Sequence, residues 1–203
     1  MQIRELTIEG SYEITPQQFA DDRGVFLEWY RFDKLAAVVG HPLDLRQANA
    51  SVSARGVVRG IHFADVPRGQ AKYVTVASGA IIDYIVDIRT GSPTFGTWEG
   101  VRLDDVDRRA IYLGEGLGHA FVALRDNTVV NYLVSDTYSP EREHGIDPLD
   151  PTIKLEFPAE AGTLVLSPKD TDAPRLQEAS DLGLLPEYGA IRDFYRQLDT
   201  TGY

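Results

Sequence analysis

Short apolar segments closed by turn residues dominate this sequence and leave little room for helices. Its 18 glycines and 11 prolines are spread along the whole length rather than gathered into linkers. Residues 70–77 (QAKYVTVA) alternate, with Lys72, Val74 and Val76 on one face and Tyr73 and Thr75 on the other. Ser78-Gly79 is a turn signal, and residues 80–88 (AIIDYIVDI) form the next strand. There Ile81, Asp83, Ile85 and Asp87 share a face. Residues 98–103, 109–113, 120–124 and 128–135 are further strands. A helix is expected over 33–39, stopped by Gly40, and two more over 175–184 and 188–198, separated by Pro186. Everything between the first helix and the second reads as strand. Many short strands separated by turns predict an all-β sandwich or barrel, here a jelly roll, with helices covering an outer face or an interface.

Composition then narrows the function. At 203 residues, 43% hydrophobic and 25% charged, the chain has ordinary globular make-up. One domain is expected, its core over about residues 1–175, followed by a helical tail over 176–203. The 20 basic residues against 31 acidic ones give a formal charge of −11. That balance argues against bulk binding to nucleic acid or an anionic membrane. An anionic small molecule would need a local cluster of Arg, Lys or His. There are no cysteines, so disulfides, thiolate metal sites and Cys nucleophiles are excluded. The start, MQIRELTIEG, has no signal-peptide apolar region, and no apolar stretch approaches ~18 residues. A soluble cytoplasmic protein is expected.

Four histidines are present. His41, before Pro42, is expected on a surface loop; His62 sits in VVRGIHF and His119 in GEGLGHAF; His144 is the fourth. Small β-barrels often hold a metal on two histidines separated by one residue, but two residues after His62 stands Ala64. No metal is expected on that ground. The remaining chemistry is acid–base, for which a histidine needs an orienting partner. Asp83, Asp87 and Asp170 are the candidate carboxylates. A charged residue within an apolar strand is costly unless paired, which suggests a buried Lys72–Asp83 ion pair. Tyr132 shares a face with Val130 and Val134. Arg23 and Arg59 each precede a glycine, where a guanidinium could meet a phosphate.

Six blocks, in order along the chain, resemble the dTDP-4-dehydrorhamnose 3,5-epimerase family. They are FADDRGVFLEWY (19–30), QANASVSARGVVRGIHF (47–63), QAKYVTVASGAIIDYIVDIRTGSPTFGTW (70–98), RRAIYLGEGLGHAFVAL (108–124), YSPEREHGIDPLDP (138–151) and LSPKDTDAP (166–174). The resemblance implies a cupin-type jelly roll, normally a homodimer, that uses neither metal nor redox cofactor. The substrate it implies is dTDP-4-dehydro-6-deoxyglucose, whose C4 ketone acidifies the hydrogens at C3 and C5. By the same resemblance His62 is the base and Asp170 the carboxylate that orients it. Lys72 stabilises the enolate oxygen, with Asp83 behind it, and Tyr132 is the acid on the opposite face. Arg23, Arg59 and His119 match groups near the pyrophosphate, Gln47 and Asn49 polar contacts to the substrate, and Lys169 a basic position near the nucleotide. Glu28 and Glu143 match the nucleoside end, and Phe26 a ring offered across the dimer to thymine.

Two stretches depart from the family pattern. SDTYSP has Thr137 before Tyr138 where two aromatics are frequent, and LGHAF stands where A-H-G-F is common. Tyr138 is expected among the substrate contacts and is the next candidate for the acid after Tyr132. Relatives that invert only C3 or only C5 share the base and the acid, so a mono-epimerase is the alternative. A sugar-nucleotide-binding cupin without turnover is a third reading, disfavoured because a binder needs no base and acid on opposite faces.

Overall fold

The computed structural model describes the backbone of residues 1–200 and the side chains of residues 1–197. Thirteen strands are present among these residues. They are β1 (Gln2–Glu5), β2 (Ser11–Thr15), β3 (Gln18–Asp21), β4 (Gly24–Leu27), β5 (Gln47–Ser53), β6 (Val58–Ala64) and β7 (Lys72–Ser78). β8 (Ala80–Val86), β9 (Trp98–Asp104), β10 (Ala110–Leu113), β11 (Gly118–Ala123), β12 (Thr128–Val134) and β13 (Glu143–Gly145) follow. The helices are α1 (Phe32–Val39), α2 (Pro168–Thr171), α3 (Leu176–Asp181) and α4 (Tyr188–Thr200).

Eleven of the strands form two antiparallel sheets, ordered β1-β2-β10-β7-β12-β5 and β13-β6-β11-β8-β9, while β3 and β4 make a separate hairpin. The chain crosses repeatedly from one sheet to the other, which is the jelly-roll arrangement. The Ser78-Gly79 turn is such a crossing. β7 and β8 therefore lie in opposite sheets and are not ladder neighbours.

Alternation along each strand sorts side chains into three layers. Val74, Val76, Ile81, Ile85, Val101, Leu103, Ile111, Phe121 and Val130 meet between the sheets. On the far side of the second sheet, Val58, Ile61, Phe63, Tyr84, Val86 and Val122 are covered by Ile146, Ile153 and Leu155, together with Leu176 and Ala179 of α3. This cover, over residues 146–167, is largely irregular backbone and not the strand expected from its apolar residues. It also joins the first turn of the tail to the core. On the far side of the first sheet, Ile14, Tyr73, Tyr112 and Leu133 pack against Leu35 of α1 and Leu43. α1 ends where expected, with Gly40 left-handed at φ 93° and its N–H bonded to Ala36 O.

Candidate active site

The inner layer is apolar at one end and polar at the other, and a bulge in β6 begins the polar end. Strict alternation would turn Arg59 and His62 to opposite sides. In the ladder with β11, His119 faces His62 and Phe121 faces Arg59, so a step of two residues on β11 matches three on β6. The extra residue brings Arg59 and His62 to the inner side, while Val58, Ile61 and Phe63 pack outward. Gly60 permits this conformation: its φ is +113°, and a Cβ there would stand 2.4 Å from the His119 carbonyl oxygen.

The loop after residue 164 brings a carboxylate to His62. Ser167-Pro168-Lys169-Asp170 is a helix start, with serine as N-cap and proline inside the first turn. Ser167 Oγ accepts from the Asp170 N–H at 3.2 Å and donates to Asp170 Oδ2 at 2.8 Å. Asp170 Oδ1 is then 2.7 Å from His62 Nε2. Burial pushes the Asp170 carboxyl up, but the bonds from His62 and Ser167 outweigh it and hold the group below the usual range. An ionised carboxylate accepts a hydrogen bond from Nε2–H, and in that tautomer the Nδ1 lone pair is free. His62 is 34% exposed and Asp170 only 6%. The pair lines a cleft of about 390 Å³ with Arg59, Ser167 and Lys169.

The other sheet supplies a second set of inward polar groups. Gln47, Asn49, Ser51 and Ser53 alternate inward along β5, with Ala48, Ala50 and Val52 exposed. Gln47 Nε2 donates to Asn49 Oδ1 at 2.8 Å, and Arg59 Nε donates to Ser53 Oγ at 3.2 Å. Tyr132 on β12 stands between Asn49 of β5 and Val74 of β7. Burial raises its pKa, Glu143 adds to the rise, and Arg59 opposes it, so the phenol is neutral near pH 7. Lys72, also facing inward, is pulled down to about 8 by burial, against the nearby negative charges of Glu143 and Asp83.

Some expected placements change. Asp83 does not pair directly with Lys72: both of its carboxylate oxygens lie 2.9 Å from His119 Nε2. β8 neighbours β11 rather than β7, so the imidazole is nearer than the ammonium. His119 accordingly stands beside His62, opposite it in the β6–β11 ladder. Glu143, matched to the nucleoside end, is the strongest charged influence on both Lys72 and Tyr132. Its strand pairs with β6, with Glu143 opposite Ala64, and this draws it inward. Arg23, Phe26 and Glu28 lie outside this cleft. Arg23 pairs with Asp21 in the β3–β4 hairpin, Glu28 pairs with Arg31, and Phe26 is 67% exposed. Tyr138 is 55% exposed, its N–H bonded to Gln47 Oε1. His41 is buried rather than on a surface loop, its ring stacked 5.1 Å from Tyr195 of α4.

Two contributors were missed in the sequence, Ser53 and Ser167. The first had a signal in the alternation QANASVS, the second in the capping pattern S-P-K-D. A larger cavity, about 600 Å³, lies on the other side of the first sheet by His41, Tyr112 and Glu115, away from the His62–Asp170 pair. Among the described residues, no group of three or more His, Asp or Glu side chains converges as a metal site.

A jelly roll that carries a histidine–aspartate pair, a neutral tyrosine and a buried lysine has groups suited to proton transfer, and its family is one of isomerases. The chain belongs to the dTDP-4-dehydrorhamnose 3,5-epimerase family, whose model matches residues 5–178. It is 60% identical over 192 residues to a dTDP-4-dehydrorhamnose 3-epimerase of Streptomyces niveus, covering 95% of this chain and 92% of the relative. It is 52% identical over 198 residues to a dTDP-4-dehydrorhamnose 3,5-epimerase of Mycolicibacterium smegmatis, covering 98% and 97%. Among solved structures, a 3′-monoepimerase of Streptomyces bikiniensis in complex with dTDP-quinovose superposes with a TM-score of 0.92 at 42% identity, covering 96% of this chain and 98% of that one.

Proposed function

We propose that this chain epimerises dTDP-4-dehydro-6-deoxy-D-glucose at C3 and C5, next to the C4 ketone. The observation that carries this reading is that His62 and Tyr132 lie on opposing sheets, with Arg59, beside His62 in the cleft, close enough to Tyr132 to influence its charge. A hexose ring lying between them meets a base on one face and an acid on the other. His62 Nδ1 removes the proton from the ring carbon, and the electron pair moves into an enolate on the C4 oxygen. The Lys72 ammonium stabilises that oxygen electrostatically. Tyr132 returns a proton to the opposite face, which inverts the centre. Arg59 and Lys169 receive the diphosphate, with Gln47, Asn49 and His119 beside the sugar.

The working unit in this reading is a cytoplasmic homodimer of a one-domain chain. β5 is an edge strand with Val52 63% exposed, and the β3–β4 hairpin exposes Phe19, Val25 and Phe26. A second copy covers both, and this would bring Arg23, Phe26 and Glu28 to a partner's nucleoside. A second reading, inversion at C3 alone, is favoured by the name of the Streptomyces niveus relative. NMR of the product formed in D₂O separates the two. Deuterium with inversion at both C3 and C5 is the expected result, inversion at C3 alone supports the second reading, and no turnover refutes both.

A further inference from the structure

One inward side chain on β5 has no partner. Among the described residues, three buried side-chain polar atoms lack any hydrogen bond: Ser51 Oγ, Arg109 Nε and Tyr112 Oη. Arg109 keeps ion pairs to Glu13 and Asp107 through its other nitrogens, and Tyr112 packs in the cluster outside the first sheet. Only Ser51 belongs to the inward polar row of β5. Its neighbours in that row are all engaged: Asn49 by Gln47, Ser53 by Arg59. A buried hydroxyl without a partner costs free energy, which a hydrogen bond to a bound ligand would recover.

Its level along the strand says which part of the substrate it meets. Asn49 is opposite Tyr132, Ser51 opposite Val130, and Ser53 holds Arg59. Ser51 thus stands one inward step from the proton-returning group and one from the diphosphate-binding arginine. The phosphate bonded to the sugar ring is the β-phosphate, the member of the diphosphate nearest that ring. Resting on the reading above, we propose that Ser51 donates a hydrogen bond to the β-phosphate of the nucleoside diphosphate sugar, fixing the ring between His62 and Tyr132. Rotation about its Cα–Cβ bond, between staggered positions, carries Oγ from its buried resting place to the cleft side.

The test is calorimetric binding of dTDP and of dTMP to the parent protein and to Ser51→Ala, with melting curves and steady-state kinetics on the dTDP-4-keto sugar. A lost bond to a charged oxygen corresponds to roughly ten- to hundredfold weaker dTDP binding. The expected result is that loss with dTMP affinity unchanged, KM raised in step, kcat little altered and the melting temperature equal or higher. Unchanged dTDP affinity in Ser51→Ala overturns the proposal. So does equal weakening for dTDP and dTMP, and so does a loss seen with the sugar nucleotide but not with dTDP. A parent protein that binds no dTDP would instead refute the function on which this rests.

Discussion

His62 Nε2 and Asp170 Oδ1 meet at 2.7 Å across 108 residues of sequence, one on a bulged strand and the other on a single helical turn. The carboxylate fixes the ring and its tautomer, so the two residues act as a unit. His62→Ala should abolish both epimerisation and deuterium exchange, by about 10²–10⁴ in rate. Asp170→Asn should show the same loss in smaller measure. Ser167→Ala, which removes the cap holding Asp170, should fall between Asp170→Asn and the parent. Exchange followed by NMR in D₂O checks all three, and near-parental exchange in His62→Ala would remove His62 as the base.

Tyr132 lies on the sheet opposite His62, so its loss should differ in kind. Tyr132→Phe should keep deuterium exchange, because His62 can take a proton and return one to the same face. It should lose net inversion. Efficient inversion by Tyr132→Phe would move the acid role to Tyr138, whose backbone is already tied to Gln47.

Much of this site was legible in the sequence because it is built on strands. Period-two alternation put Lys72 with Val74, Asp83 with Ile81, and Tyr132 with Val130, and all of them do face the inner layer. Alternation says nothing about which sheet a strand joins. The expected Lys72–Asp83 pair failed for that reason, since the Ser78-Gly79 turn changes sheet and His119 reaches Asp83 first. The shared face of Arg59 and His62 was also hidden, because a bulge shifts the period by one residue. His41 was misplaced because a polar residue beside proline reads as a loop, whereas α4 returns from the far end of the chain to cover it.

Lys72 predicts a dependence on pH in two directions. Its buried ammonium has a pKa of about 8 in the folded protein against an ordinary value of 10.5. If the protonated form stabilises the enolate, kcat should fall as pH rises through about 8. Glu143→Gln removes an anion that supports the charge, so the alkaline limb should move to lower pH. Stability runs the other way. Below about pH 8 both folded and unfolded chains hold the proton, and the cost of burying it is present in full. Between about 8 and 10.5 the unfolded chain alone keeps it, so Lys72's contribution to stability improves as pH rises. Lys72→Met should therefore be inactive yet more stable at pH 7 by about 1–3 kcal/mol. Urea unfolding at pH 7 and pH 10 tests this, and the gap between variant and parent should narrow at the higher pH.

Arg59 and Tyr132 flank the same space but serve different parts of the substrate in our reading. Arg59→Ala should weaken dTDP binding by about 1.5–3 kcal/mol, the worth of a charge-assisted contact. Ser53→Ala leaves the guanidinium in place without its 3.2 Å bond and should cost less. Tyr132→Phe should leave dTDP affinity unchanged, because dTDP carries no sugar ring. Equal dTDP affinity in Arg59→Ala and the parent would place the diphosphate elsewhere.

The β3–β4 hairpin gives the last prediction. Phe19 and Phe26 sit opposite each other on it with tilted rings, centres 6.4 Å apart, yet are 51% and 67% exposed. Apolar rings in so exposed a ribbon suit a surface that another copy covers. The protein should have twice the chain mass in solution at micromolar concentration. Phe26→Ala removes a ring that touches no part of its own chain's cleft. In a homodimer with the hairpin at the partner's nucleoside, it should raise KM while leaving His62-dependent exchange at saturation near parental. A monomeric mass, or a Phe26→Ala protein with parental KM, would confine the nucleoside site to a single chain.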